Sequence, residues 1–276
     1  MRRLGAKRVA ISDRSRTLTG RRALVTGSTG GLGLAIAEGL AAEGCEVVLN
    51  GLAAPAEAES ARADLAARHD VRAVFHAADL SRPDQIEALV RHAEATFGGL
   101  DIVVNNAVVR QFVAVEEMPV AGWDRSIAVN LSAAFHTIRL ALPGMRQRGF
   151  GRIVNVSSIY GLIGAANRAD YVTTKTALIG LTRAVALETA QADITCNAIC
   201  PGTVPTPAIQ DRIRGIASGS GISEEEAARD YLATRQPSGR FIALEGVAAM
   251  VAFLCGPGGR DITGAALPID GAWSVA

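Results

Sequence analysis

Tyr171 and Lys175 stand four residues apart in YVTTK (171–175), so a helix would set them on one face. An ammonium beside a phenol favours the phenolate and lowers a pKa that starts near ~10. A tyrosine so poised can take or give a proton near neutral pH. Alone, the Tyr-x-x-x-Lys spacing most often marks a solvated helix face, so other residues have to share the work. Ser158 closes an apolar run thirteen residues earlier. Asn130 lies inside a long helical pattern, where an amide does not help the helix. Asn105-Asn106-Ala107 ends another apolar run, and shortly after it NNAVVRQF places the full charge of Arg110 behind valines. A guanidinium buried there needs an anionic partner.

The elements that would hold these groups alternate. RALVTG (22–27), EVVLN (46–50), VRAVFHA (71–77), LDIVVNN (100–106), RIVNVSS (152–158), ITCNAI (194–199) and AALPI (265–269) read as strands. Helical patterns fall at 31–44, up to about Arg68, at 81–97, 122–148, 168–190 and 243–256. Ser81 with Asp84 predicts a cap for the third of them. Apolar strands alternating with helices predict an α/β fold: a single-domain, doubly wound parallel sheet covered on both faces. Ligands then sit beyond the carboxyl ends of the strands, where Arg110 falls. The irregular stretch 205–240, with helical pieces, is long for a connection and reads as a small lid.

TGSTGGLG (26–33) joins the first strand to the first helix. Glycines there let backbone N–H groups approach a pyrophosphate at the helix N-terminus. The spacing of Gly27, Gly31 and Gly33 is G-xxx-G-x-G rather than G-x-G-x-x-G, and a plain tight turn is the other reading. The second strand ends in Asn50-Gly51-Leu52, which offers neither an acid for a ribose hydroxyl nor an arginine for a 2′-phosphate. With no Lys or Arg in the glycine turn either, NAD is favoured over NADP.

The 276 residues are 49% hydrophobic and 20% charged, which fits one domain with a sizeable core and excludes a disordered chain. No apolar run approaches the ~18 residues of a membrane span. Residues 1–22 hold eight Lys/Arg and one acid, leaving 20 basic and 26 acidic residues in the remainder. That mildly acidic body argues against nucleic acid as a partner. Residues 1–19 read as a flexible basic tail ahead of a domain over 20–276. The tail lacks the apolar stretch of a secretory signal; a targeting segment is the alternative. Cys45, Cys196, Cys200 and Cys255 lie in apolar patterns, and no histidine stands near enough to Cys196 and Cys200 to complete a metal site. They read as buried reduced thiols, no metal is expected, and the compartment is most simply the cytoplasm.

TGSTGGLG, Asp79 in ADL, NNA, Asn130, Ser158 and YVTTK, in this order over about residues 20–276, resemble the classical short-chain dehydrogenase/reductases. The resemblance implies a Rossmann fold and a nicotinamide cofactor. It implies Tyr171 as general acid/base, Lys175 lowering its pKa and holding the ribose, Ser158 binding the reacting oxygen, and Asn130 seating a water for proton relay. The cofactor contacts it implies are Gly27, Thr29, Gly31, Leu32 and Gly33 in the turn, then Asn50. Asp79 at the adenine, Leu80, Asn106 and Ala107 follow. Pro201, Gly202, Val204 and Thr206 of PGTVPT would surround the nicotinamide amide.

Within that family LNG (49–51), NLSAAFHTIRLALPGMR (130–146), LETA (187–190), TCNAICPG (195–202), QPS (236–238) and DGAW (270–273) are similar to the bacterial D-3-hydroxybutyrate dehydrogenase branch. The substrate pocket departs from it. Arg110 stands where that branch has a carboxylate-holding glutamine, Tyr160 where it has a histidine, Arg168 for a lysine and Thr203 for a tryptophan; Gln210 and Trp273 match. Arg110 and Arg168 would clasp a small anionic substrate, with room and charge for one larger or more highly charged than 3-hydroxybutyrate. The bland alternatives are a salt bridge from Arg110 to Glu116 or Glu117, a solvated Arg168, and a packed Trp273. The leading expectation is an NAD-dependent dehydrogenase of small hydroxy acids; a polyol, sugar acid or hydroxysulfonate enzyme comes second, and a non-catalytic NAD sensor is a distant third. The resemblance also implies a homotetramer.

Overall fold

Short runs rich in Val, Ile and Leu, ended by polar or glycine-rich turns, make strands buried on both faces. The computed structural model describes residues 16–276. Among them are β1 (Arg22–Val25), β2 (Glu46–Gly51), β3 (Ala73–Ala77), β4 (Ile102–Asn105), β5 (Gly151–Val156), β6 (Ile194–Pro201) and β7 (Ala266–Ile269). All pair in parallel, in the order β3-β2-β1-β4-β5-β6-β7. The winding reverses between β1 and β4, which opens a crevice beyond their carboxyl ends.

The helices are α1 (Gly31–Ala42), α2 (Pro55–His69), α3 (Pro83–Phe97), α4 (Val120–Ile127), α5 (Ala133–Arg148), α6 (Ala169–Thr189), α7 (Pro207–Ser220), α8 (Glu224–Ala233) and α9 (Leu244–Cys255). One apolar cluster joins α1 and α9 to the sheet through Ile36, Leu40, Val247 and Val251; a second joins α3, α5 and α6 through Leu89, Ile138 and Val185. The α1–α9 crossing is close because Gly39 has no Cβ, which would stand 3.0 Å from the Ala248 Cβ. At the opposite edge from the crevice, fully buried Asp101 takes both Arg22 (2.7 Å) and Arg148 (3.2 Å).

Three expectations change. The tail does not reach residue 19: Leu18 is buried in the core, its N–H donates to the Glu43 carbonyl, and Thr17 bonds the Glu43 carboxylate, so side chain and backbone together anchor the segment. Residues 1–15 lie outside the described residues. Ser81 does not cap α3. Its N–H and hydroxyl both go to Asp79 (2.9 and 2.8 Å), Asp84 pairs with Arg82, and Pro83 opens the helix instead. The helix expected over 122–148 is broken by a π turn at Ala128–Ser132, which holds Asn130. The 205–240 stretch folds as α7 and α8, with a Ser223–Glu226 capping box and an apolar cluster of its own around Ile213, Ala217 and Ala227.

Candidate active site

The nucleotide end is built by backbone and amides. Gly27 (φ +60°) turns the chain after β1, and a Cβ there would stand 2.8 Å from the Ala107 Cα. A Cβ on Gly33 would meet the Gly27 carbonyl at 2.1 Å. The first turn of α1 has no side-chain cap, so its N–H groups are left for an anion. Asn106 fixes the turn by donating to the carbonyls of Thr26 and Gly27, both at 2.9 Å. The Asn50 amide is committed likewise. It donates to His76 and Ala78 carbonyls and accepts from the Gly27 N–H (3.4 Å). Asn50 thus shapes the wall and does not offer a free amide to a ribose. Asp79 faces Arg125 at 3.6 Å, and the Ser81 N–H holds its carboxyl below the usual range.

The catalytic candidates converge at the ends of β5 and α6. Ser158 accepts from the Tyr160 N–H (3.2 Å), which starts a tight turn. Gly161 in that turn packs against α6, with room for no side chain. Lys175 is buried; its ammonium donates to the Val156 carbonyl (2.7 Å) and lies 5.6 Å from the centre of the Tyr171 ring. Burial pulls its pKa down to about 7, and the charge of Arg110 adds to the fall. Asn130 clamps the loop after β4: it accepts from the Val109 N–H (2.8 Å) and donates to the Val109 carbonyl (2.9 Å). A further, longer contact runs from the same amide nitrogen to the Thr174 hydroxyl (3.4 Å), so the side chain ties the loop after β4 to α6. Polar satisfaction at a π turn explains the amide that looked out of place in a helix.

The substrate end is aromatic and cationic. Arg168 stacks 3.2 Å above the Phe112 ring, and Arg110 lies 5.6 Å from the Tyr171 ring. Burial lowers the Arg168 pKa, partly offset by Tyr160 and Tyr171. Among the described residues neither arginine makes an ion pair, so Arg110 does not reach Glu116 or Glu117. Trp273 meets Tyr160 edge to face at 5.4 Å. Left-handed residues stand directly before both: Asn167 (φ 59°) before Arg168 and Ala272 (φ 72°) before Trp273. An alanine there is strained; the Asp270 carboxylate holds it by accepting from the Ala272 and Ser274 N–H groups.

One cleft of about 360 Å³ joins the glycine turn to Asp79, Leu80, Ala107, Arg110, Ser158, Tyr171 and Lys175, and on to Pro201, Gly202, Val204 and Thr206. A smaller recess beside it brings Arg110 and Ser158 together with Tyr160, Arg168, Thr203 and Trp273. Of the expected residues, Thr29, Gly31, Asn130 and Gln210 do not line either space; Gln210 is exposed on α7. Sequence reasoning missed Arg125 at the nucleotide end, and Ile209 and Tyr231 at the substrate end. The last two belong to the stretch read as irregular, where helical period alone could have found them.

A family model described as short chain dehydrogenase matches residues 21–216. The chain belongs to the short-chain dehydrogenase family. The dehydrogenase is an oxidoreductase acting on CH–OH groups. It is 45% identical to a D-beta-hydroxybutyrate dehydrogenase of Cupriavidus necator, over 93% of this chain and 98% of that protein. It is 42% identical to one of Rhizobium meliloti, over 92% and 98%. A structure of L-sorbose reductase from Gluconobacter frateurii, complexed with NADPH and L-sorbose, superposes with a TM-score of 0.90 at 30% identity, covering 95% of this chain and 99% of that one. A nicotinamide cofactor fits the dehydrogenase: the glycine turn, open at Gly30 and Gly31 ahead of the uncapped first turn of α1, suits a pyrophosphate, and the buried Thr206 hydroxyl has no partner among the described residues. No helix among the described residues is long and apolar enough to cross a membrane.

Proposed function

We propose that this dehydrogenase interconverts a small anionic hydroxy acid and its keto form, 3-hydroxybutyrate-like, with NAD. The carrying observation is Tyr171 set between the buried Lys175 ammonium and two guanidiniums that have no carboxylate among the described residues. The names of the relatives from Cupriavidus necator and Rhizobium meliloti agree with it. NAD rather than NADP is supported by the absence of Lys and Arg from Gly27–Gly33 and from Asn50–Leu52. The NADPH-bound sorbose reductase bears on the fold and not on this choice.

When bound, the nicotinamide supplies the hydride acceptor. Gly27, Gly33 and the open end of α1 would hold its phosphates, Asp79 and Leu80 the adenine end, and Thr206 the amide. Arg110 and Arg168 hold the substrate carboxylate as forks. The Ser158 hydroxyl donates to the reacting oxygen, and the Tyr171 phenol exchanges the proton. Lys175 is the counter-charge for the phenolate. The lid of α7 and α8 excludes water. An apolar groove on α5 and α6, with Phe135 and Leu181, supports assembly as a homotetramer.

The test is cofactor reduction with D-3-hydroxybutyrate, hydroxy dicarboxylates, sugar acids and hydroxysulfonates, offered with NAD and with NADP. NADH formation on a hydroxy acid, lost in Tyr171→Phe with NADH binding kept, is expected. Silence on every acid, or equal use of NADP, overturns the corresponding part.

A further inference from the structure

We propose that the substrate carries two anionic groups and that Arg212, on the lid helix α7, reads the second. The proposal rests on the hydroxy-acid reading for the reacting end of the molecule, and on charge and geometry for the other. Arg212 lies 5.9 Å from the centre of the Phe112 ring and 5.7 Å from that of Tyr231. Arg168 stacks on the same Phe112 at 3.2 Å. Phe112 is 55% exposed, a large apolar side chain approached by the guanidiniums of Arg168 and of Arg212, the latter exposed on α7 beside Tyr231 of the recess.

No acid answers these cations. Among the described residues Arg110, Arg168 and Arg212 make no ion pair: Glu116 and Glu117, the acids nearest Arg110 and Phe112 in sequence, do not reach them, and three further acids are engaged elsewhere. Asp170 accepts from Ser126, Asp211 pairs with Arg214, and Asp270 accepts two backbone N–H groups. Aromatic faces steady the three guanidiniums, a weaker hold than a fork onto a carboxylate.

One carboxylate carries a single negative charge, which forks from Arg110 and Arg168 already answer. Arg212, beside Tyr231 and Phe112, is left without a counter-charge. A second anion on the far side of Phe112 would supply it. The elements that carry Arg212 and Tyr231 pack through an apolar cluster separate from the sheet core, so they can settle on a ligand without disturbing the sheet. The ligand class is a short hydroxy dicarboxylate, or a hydroxy carboxylate ending in a sulfonate, with its hydroxyl near Tyr171.

The decisive measurement is calorimetric binding of glutarate and butyrate to the full chain with NAD present. Neither ligand has a hydroxyl, so neither turns over. Glutarate is expected to bind roughly 30-fold more tightly than butyrate. Arg212→Met should reduce that ratio to about unity, and Arg212→Lys should keep part of it, since Lys is a point charge without the fork. Equal binding of the two ligands by the unaltered protein, or a ratio untouched by Arg212→Met, overturns the proposal. An equal loss of both ligands in Arg212→Met also overturns it, because that is a damaged lid. Parallel turnover of 3-hydroxybutyrate and 3-hydroxyglutarate separates the two readings. Arg212-dependent glutarate preference without any turnover would fell the hydroxy-acid reading alone. Turnover with equal binding would fell the dianion alone.

Discussion

The two ends of the cleft use polar side chains in opposite ways. At the nucleotide end Asn50 and Asn106 direct their amides at backbone groups of Gly27 and Ala78, and behind the cleft Asn130 does the same to Val109. At the substrate end Arg110, Arg168 and Arg212 rest against rings with no acid as partner among the described residues. The first end is finished before a ligand arrives, and its shape is its function. The second holds unanswered charge that a ligand must complete. Damage to the first should therefore appear as lost stability and lost nucleotide binding. Damage to the second should appear in substrate kinetics alone.

Tyr171→Phe sits at the junction and should have the largest effect: turnover falls about 1,000-fold while NADH fluorescence titration is little changed. Gly33→Ala comes next. Its Cβ has no space at 2.1 Å from the Gly27 carbonyl, so NADH affinity should fall roughly 100-fold and stability by about 1–3 kcal/mol in urea melts. Asn130→Ala leaves the Val109 N–H and carbonyl without partners, at a cost of about 2 kcal/mol or more. Retained stability in either variant would break the contrast between the two ends.

Arg168→Met should lower kcat/KM on the acid substrate roughly 10- to 100-fold and leave urea stability within about 0.5 kcal/mol. Lys175 sharpens the comparison by pH. Its folded pKa of about 7 lies below its ordinary 10.5. Between those values the unfolded chain holds a proton that the folded, unliganded chain has released, so this group makes stability rise with pH in that window. The melting temperature of the unaltered protein minus that of Lys175→Met should therefore increase from about pH 6 to about pH 9. A flat difference would mean that burial is not what displaces the amine.

The alternation of strands and helices, and with it a cleft beyond the strand ends, were legible in apolar periodicity, because a sheet buried on both faces leaves continuous apolar runs. Spacing gave only Tyr171 and Lys175 on one helix face; the family resemblance joined Ser158 to them, and all three line one cleft. What stayed hidden depends on contacts that spacing does not carry. Asn130 was visible as an anomaly, but the clamp on Val109 needs the π turn. Ser81 looked like a cap until Asp79 competed for it. The lid was read as irregular because its helices bury only a narrow apolar stripe against each other, so Arg212 and Tyr231 went unnoticed.

The most direct test of the account compares D-3-hydroxybutyrate with its neutral methyl ester in the same NADH assay, with Arg168→Met beside the unaltered protein. The account predicts turnover of the acid, little or none of the ester, and a narrowing of that gap in the variant. Equal turnover of acid and ester would contradict it, because the unpaired guanidiniums would then have no part in choosing the substrate.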